Sequence, residues 1–305
     1  MSAIDEEIAS QPECWLTAAK LVPELAGWLP AGERLAVVGC GTSWFIGQAW
    51  AALRERAGQG ETDAFAASEM PERAYPRVLA ISRSGTTTEV ARALRRVGDG
   101  APTVAVTAVG DGPVVAAVAS RARHRVADLR KFGPPHFRLD FADERSVVQT
   151  RFATTTLALL RALLGEDVPA LAAAARQALA SDLPVDPAGV EHFVFLGTGW
   201  SVGLAHEAAL KLREAAGAWS ESYPALEFRH GPITVPGERS LVWALGPVDG
   251  DLLEEASATG AAVVVHDVDP LAELVLIQRT AVAVARARGR DPGNPRRLSR
   301  SVVLP

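Results

Sequence analysis

Hydroxyl side chains are concentrated in the segment 82–87, which reads Ser-Arg-Ser-Gly-Thr-Thr. The side chains that can donate a hydrogen bond to phosphate oxygens are Ser82, Ser84 and Thr87. Gly85 permits a tight turn, and the free amides and dipole of a helix that follows favour an anion. A helix N-cap alone explains one or two hydroxyls, but explains four less well. The segment therefore predicts a phosphate site, in which Arg83 either adds charge or points to water.

A second group of candidate residues has helical spacing. Glu207, Lys211 and Glu214 stand at positions i, i+4 and i+7, so a helix places them on one face. A solvated, salt-bridged face is the common explanation of such a pattern, but the alanines and leucines between them indicate a largely covered helix. A carboxylate with its pKa raised by partial burial can act as a general base.

His230 precedes Gly231-Pro232, a pair that predicts a turn presenting the imidazole ring. A lone histidine is more often structural than catalytic, although an imidazole titrating near pH 6.5 can move a proton in either direction. We assign structural roles to the remaining histidines, at positions 124, 136, 192, 206 and 266.

These residues fall in a pattern of apolar strand, turn and amphipathic helix, which predicts parallel sheets with crossover helices. The predicted strands are Leu35–Val38, Arg77–Ile81, Thr103–Val106 and Trp219–Ser222. The predicted helices are Ser43–Arg56, Thr87–Val97, Ser146–Leu164 and Ala170–Ala180. Strands that are apolar throughout suit a sheet covered on both faces.

The sequence also contains an internal repeat. Segment 37–43 reads VVGCGTS and segment 195–201 reads FLGTGWS, and LRERAG and LREAAG follow at corresponding places. We therefore expect an α/β protein with two doubly wound, mainly five-stranded parallel sheets. Their ligands should lie beyond the carboxyl ends of the strands, where segments 39–43, 82–87 and 197–201 fall.

Composition and motifs exclude several function classes. The net charge of −5 gives no indication of nucleic-acid binding, and no stretch approaches the ~20 apolar residues of a membrane span. Cys14 and Cys40 form no CxxC pair, so we expect two reduced, buried thiols and no metal. The turn at 39–43 has neither dinucleotide nor P-loop spacing. With no signal-peptide pattern at the N-terminus, a cytoplasmic protein is expected.

Taken together, the motifs resemble the sugar isomerase (SIS) family, and specifically its tandem-domain members. The resemblance rests on segments 39–43, 82–87, 207–214 (EAALKLRE), 227–232 (EFRHGP) and 294–303 (NPRRLSRSVV), in family order. It implies two tandem SIS domains, with bounds at 1–165 and 166–290, and a tail at 291–305 that closes over the active site.

The resemblance also implies residue roles. Glu214 would take the proton at sugar C1/C2, His230 would open the sugar ring, and Lys211 would hold its charge or contact substrate oxygens. Arg300 stands where the family pattern has lysine, and we interpret it as a retained cation. The substrate-binding residues expected are Gly41, Thr42, Ser43, Ser82, Arg83, Ser84, Thr87 and Glu207.

These roles describe an isomerase or deaminase of an amino-sugar 6-phosphate, with no cofactor. Ser2 stands where a glutaminase domain would need a cysteine, so ammonia from glutamine is not expected. The alternatives are a deglycase of a sugar–amine adduct and a non-catalytic phosphosugar sensor. The expected partners are a phosphosugar and a second copy of the chain, with His230 reaching into the neighbouring site.

Overall fold

A computed structural model describes residues 2–98, 101–122 and 126–304. Its strands are β1 Leu35–Gly39, β2 Thr62–Ala66, β3 Arg77–Ile81, β4 Thr103–Thr107, β5 His136–Arg138, β6 His192–Gly197, β7 Trp219–Pro224, β8 Ser240–Leu245 and β9 Ala262–Val265. Its helices are α1 Ala3–Ala9, α2 Gln11–Ala19, α3 Val22–Ala26, α4 Thr42–Arg56, α5 Thr88–Arg96, α6 Pro113–Ala122, α7 Val126–Phe132, α8 Arg151–Leu163, α9 Val168–Ala180, α10 Ser201–Ala216, α11 Gly250–Ala258 and α12 Pro270–Ala287.

The strands form two parallel sheets flanked by helices, which confirms the predicted α/β class. The first sheet has the order β2-β1-β3-β4-β5, and the second has β7-β6-β8-β9. The first has the expected five strands, whereas the second has four in the described residues rather than the five expected. In both, the first strand of the sheet lies second from one edge, between the second and third strands, and the order reverses beside it.

Two compact units divide the chain. One comprises 1–12, 145–150 and 169–298 and holds the second sheet; the other comprises 13–144, 151–168 and 299–305 and holds the first. The leading helix α1 therefore packs in the unit of the second sheet, where it contacts α12. The bounds expected from the sequence, 1–165, 166–290 and 291–305, stay predictions.

Each sheet contains strands that are buried along their whole length, as their apolar composition predicts. All residues of β1, β4 and β8 are buried. On one side of the first sheet, Val38 and Ala80 pack with Val90 and Leu94 of α5. In the unit that holds the second sheet, Val194 and Val242 pack with Phe228 and Leu252.

One helix starts later than the sequence suggests. The expected helix Ser146–Leu164 begins only at Arg151. The Glu144 carboxylate accepts a hydrogen bond from the Arg151 amide at 2.8 Å, which satisfies a donor at the helix start. The segment before Arg151 is not helical, and its Val147 amide donates a hydrogen bond to the Gly293 carbonyl.

Candidate functional site

The repeated glycine turns have the same geometry at the ends of β1 and β6. A Cβ on Gly39 would lie 2.7 Å from the Ser43 carbonyl carbon, and one on Gly197 would lie 2.5 Å from the Ser201 carbonyl oxygen. Gly41 and Gly199 both have positive φ, at 52° and 58°. Only glycine allows strand and helix to approach this closely, which explains the pattern that both copies share.

The turn at 39–43 presents the start of α4 at the end of the first sheet. Gly41 is the N-cap residue, and Thr42 and Ser43 are buried in the first helical turn. β1 pairs with β3, so the segments that follow these two strands leave the same edge of the sheet. The strand order reverses at this pair, which is where ligands of doubly wound sheets bind.

Segment 82–87 lies at the carboxyl end of β3 and leads into α5, as the sequence predicts. Gly85 has φ +65°, and a Cβ there would lie 3.0 Å from the Asp111 carbonyl oxygen. Ser82 is buried, with its Oγ 3.4 Å from Thr87 Oγ1. The Ser84 hydroxyl accepts hydrogen bonds from the amide and the hydroxyl of Thr86, at 3.2 and 3.0 Å.

Arg83 is buried, which contradicts the alternative that its side chain points to water. Its side chain is 1% exposed and forms an ion pair with Glu144 at 3.4 Å. Its Nη2 donates to the Arg300 carbonyl at 2.9 Å. Arg83 therefore does not point to water, and its described contacts are with protein groups of the same unit.

The Arg300 side chain contacts the same segment as Arg83 does. Its guanidinium donates to the Glu144 carbonyl and pairs with Asp143. The Asp143 and Arg300 side chains are each about one-third exposed, at 36% and 37%. A cation thus stands at this place of the tail, and its described partners are acidic or carbonyl groups.

The helix face of α10 carries a buried charged triad. Glu207 and Lys211 have side-chain exposures of 0% and 1%, and Glu214 has 18%. Lys211 Nζ lies 3.3 Å from Glu207 Oε1 and donates to Glu214 Oε2 at 2.5 Å. The sequence prediction that these three residues share one largely covered face is confirmed. Glu214 is the member of the triad that solvent reaches most.

His230 follows a short 3₁₀ helix, Ala225–Arg229, which comes directly after β7. Its amide donates to the Glu227 carbonyl at 3.0 Å, and Gly231 after it has φ +125°. The residue is exposed. The turn at Gly231-Pro232 thus presents the imidazole ring as the sequence predicts, in the same unit as the α10 triad.

Four other histidines lie among the described residues, each with a polar partner. His136 lies 2.8 Å from Thr107 Oγ1, His192 lies 3.2 Å from Ser240 Oγ, His206 lies 2.9 Å from Ser222 Oγ, and His266 lies 2.8 Å from Glu273 Oε1. Burial lowers the pKa of His136 and of His206. These contacts suit the structural roles expected; His124 lies outside the described residues.

Cys14 and Cys40 are both reduced, as expected. Cys14 is buried, whereas Cys40 is only partly buried. Burial, reinforced by the nearby Glu89 carboxylate, raises the pKa of the Cys40 thiol to about 11. Within residues 2–98, 101–122 and 126–304, no group of three His, Cys, Asp or Glu side chains could hold a metal ion. In the same ranges no helix is both long and apolar enough to cross a membrane.

Four residues of this region were not among the predicted site residues: Thr86, Asp143, Glu144 and Ser301. Ser301 directly follows Arg300 in the tail motif, and Thr86 lies inside the predicted loop, so both were within reach of the pattern. The pairing of Glu144 with Arg83 could not be found from a local pattern, because 61 residues separate the two.

The region 299–304 contacts segment 82–87 through two of these residues, Ser301 and Thr86. Ser301 Oγ lies 3.0 Å from Ser84 Oγ and 2.8 Å from Thr86 Oγ1. The Thr88 amide donates to the Val302 carbonyl at 3.3 Å, and the Leu304 amide donates to Thr88 Oγ1 at 2.9 Å. The tail therefore contacts both the loop and the first turn of α5.

The chain is similar in sequence to curated proteins and in fold to solved structures. No protein-family model matches the chain. A glutamine–fructose-6-phosphate aminotransferase (isomerizing) from Sulfurisphaera tokodaii is 28% identical over 93% of this chain and 52% of its own length. The chain thus spans about half the length of the curated relatives it matches.

Solved structures agree in fold. The C-terminal domain of glucosamine-fructose-6-phosphate aminotransferase from Francisella tularensis has a TM-score of 0.79 at 20% identity, covering 96% of this chain and 98% of that one. Glucosamine-6-phosphate deaminase from Thermotoga maritima has a TM-score of 0.73 at 24% identity, covering 99% and 100%. The chain therefore has the α/β fold of these two sugar-phosphate enzymes over nearly its whole length.

Proposed function

We propose that this protein is a phosphosugar aldose–ketose isomerase, or an isomerising deaminase, acting on an amino-sugar 6-phosphate through an enediol or enolamine. The observation that carries the proposal is the α10 triad: a buried lysine holds one oxygen of a carboxylate that solvent still reaches. The phosphate loop and the names of the relatives indicate the same substrate class.

Glu214 is the proposed base. Lys211 fixes its Oε2 through a charge-assisted hydrogen bond, so proton transfer is assigned to Oε1. The carboxylate takes the C2 proton of an open-chain aldose as O1 takes up a proton, which gives the enediol. It then returns the proton to C1 as the O2 hydroxyl loses its own, so C1 ends as an alcohol and C2 as a carbonyl. Glu207 keeps Lys211 charged from its other side, because an uncompensated ammonium is disfavoured in a buried position.

Ring opening is assigned to His230. Its exposed imidazole can take the proton of the O1 hydroxyl and deliver one to the ring oxygen as the C1–O5 bond breaks. Arg300 supplies a fixed positive charge near the loop that can attract the phosphate or stabilise an enolate oxygen.

The phosphate is assigned to the hydroxyls and amides at the carboxyl edge of the first sheet. Ser43, Ser82, Ser84 and Thr87 supply hydroxyls, and Gly41 and Thr42 supply the start of α4. Two helices begin at this edge, after β1 and after β3, and their dipoles both favour an anion. The corresponding turn after β8, Gly246-Pro247-Val248, has no hydroxyls, which restricts the proposed phosphate site to the first sheet.

An amino sugar extends the same step to deamination. After the proton has moved from C2 to C1, C2 carries an imine, and water adds there while ammonia leaves. A deglycase, which would split a sugar–amine adduct in the same way, and a sensor without chemistry are the alternatives. Retention of both Glu214 and His230 favours an enzyme.

The proposal also covers the domain arrangement, the location and the oligomeric state of the protein. The shared strand order and glycine geometry of the two sheets support tandem SIS domains, ending in a tail that closes over the active site. We propose a cytoplasmic homodimer to which His230 is contributed across the subunit boundary, with no organic cofactor.

A panel of phosphosugars tests the proposal. The 6-phosphates of fructose, tagatose, glucosamine, galactosamine and N-acetylglucosamine are incubated with the protein in deuterated water, and both C–H exchange and released ammonia are measured. Exchange with at least one sugar is expected, and ammonia release distinguishes a deaminase from an isomerase. Binding of phosphosugars without exchange for any of them would leave only a sensor.

A further inference from the structure

The segment 299–304 is fixed in place by a closed set of contacts. Arg83 pairs with the Glu144 carboxylate and donates to the Arg300 carbonyl, while Arg300 donates to the Glu144 carbonyl. Each of the three residues therefore holds the other two. We call this set, Arg83, Glu144 and Arg300, the tail clasp.

The clasp is buried where it meets the loop. The Arg83 and Glu144 side chains are 1% and 0% exposed, so their attraction is weakly screened by solvent. Because the planar guanidinium donates in fixed directions, Arg83 can hold a carboxylate and a carbonyl at once, which a lysine cannot do with the same geometry. The buried Arg83–Glu144 pair therefore helps to stabilise the position of the tail.

The residue that follows the clasp is placed on the proposed phosphate loop. Ser301 Oγ, Ser84 Oγ and Thr86 Oγ1 lie within 2.8 to 3.0 Å of one another. Three hydroxyls at these distances can satisfy one another, and each can rotate its O–H toward an anion that arrives. Ser301 comes from a part of the chain more than 200 residues away, so this grouping exists only in the folded protein.

We propose that Ser301 is a binding residue for the substrate phosphate, acting with Ser84 and Thr86, and that Arg83 is the positioning residue that holds it there. This inference rests on the proposed function, because it assumes that the loop binds a phosphate. It also gives Arg83 a role other than direct phosphate contact.

Removing one hydroxyl tests the binding role. Titration calorimetry with glucosamine 6-phosphate and with inorganic phosphate compares the wild type with Ser301→Ala, Ser301→Thr and Val303→Ala. A hydrogen bond to a charged group predicts about a tenfold weaker Kd for Ser301→Ala with both probes. Ser301→Thr keeps the hydroxyl and should recover most of the affinity, and Val303→Ala, in the exposed part of the tail, should match the wild type.

The positioning role needs a variant that remains folded. Arg83→Gln alone leaves Glu144 buried and uncompensated, so the double change Arg83→Gln with Glu144→Gln is used. Hydrogen exchange of the C-terminal peptide should accelerate in this variant, and its phosphate affinity should fall as far as in Ser301→Ala. Ser301→Ala itself should lose affinity without faster exchange, which separates the two roles.

The outcomes separate the two proposals. If the wild type binds glucosamine 6-phosphate but Ser301→Ala binds it equally well, the inference is wrong and the proposed function stands. Tighter binding by Ser301→Ala also overturns it, because the hydroxyl would then compete with phosphate. If the wild type binds neither probe nor any sugar of the panel, both proposals fail. An unchanged exchange rate in the double variant overturns the positioning role of Arg83.

Discussion

Lys211 donates a hydrogen bond to the Glu214 carboxylate over 2.5 Å, although its own side chain is 1% exposed. A buried ammonium is stable only with compensation, and Glu207, 3.3 Å away, supplies the second negative charge. The pairing restrains one oxygen of Glu214 while solvent still reaches the side chain.

Glu214→Gln should lower kcat for the proposed reaction by about 10²- to 10⁴-fold, because the amide cannot accept the C2 proton. Substrate affinity should change much less, since the phosphate loop is untouched. Deuterium exchange at C2 is the direct measurement. Glu254→Gln, an exposed glutamate on α11, is the matched control and should keep wild-type turnover. Full exchange activity in Glu214→Gln would remove this residue from the base role.

Lys211→Met should destabilise the fold by about 3 kcal/mol, because it leaves Glu207 buried without its cation. The urea midpoint measures the loss, at a pH where both carboxylates are ionised in the unfolded chain. Lys20→Met changes an exposed lysine and should leave the midpoint within error. Equal midpoints for the two variants would show that the triad contributes no stability.

Gly39→Ala should destabilise the first sheet by roughly 1 to 3 kcal/mol. The added Cβ would stand 2.7 Å from the Ser43 backbone, so strand and helix must separate. Gly98→Ala, where a Cβ meets nothing within 4 Å, is the control. Thermal unfolding of both variants checks the prediction, and an unchanged Tm for Gly39→Ala would contradict the close approach.

Stability should fall as the pH falls below about 6.5, in part through His206. Burial, with a smaller contribution from Arg213, lowers the pKa of this histidine below its ordinary value of 6.5. The unfolded chain then binds more protons than the folded one as the pH decreases toward the lowered pKa, which favours unfolding.

His206→Gln removes this contribution. Its unfolding free energy should decline less than that of the wild type between about pH 7.5 and pH 5.5, as measured by urea denaturation at several pH values. His136, whose pKa burial also lowers, is present in both proteins and so cancels from the comparison. Parallel pH profiles would mean that His206 does not contribute to the decline.

Much of the scaffold follows from local sequence. Apolar runs of four to five residues predict β1, β3 and β4 close to their observed bounds. The i, i+4, i+7 spacing predicts the common face of Glu207, Lys211 and Glu214, because a helix fixes those angles whatever surrounds it. The glycines of both repeats follow from the close strand-to-helix approach that they permit.

Tertiary structure determines the contacts between residues that are far apart in the sequence, which residue spacing does not predict. Whether Arg83 meets water, phosphate or protein depends on Glu144 and on the Arg300 carbonyl, which lie 61 and 217 residues away. The late start of α8 depends on the same Glu144 carboxylate, which bonds the Arg151 amide. Side-chain type and spacing thus determined the strands, the charged helix face and the hydroxyl-rich loop. Contacts between distant segments decided that Arg83 is buried and that Ser301 joins the loop, because the direction of a long side chain is set by partners that only folding brings near.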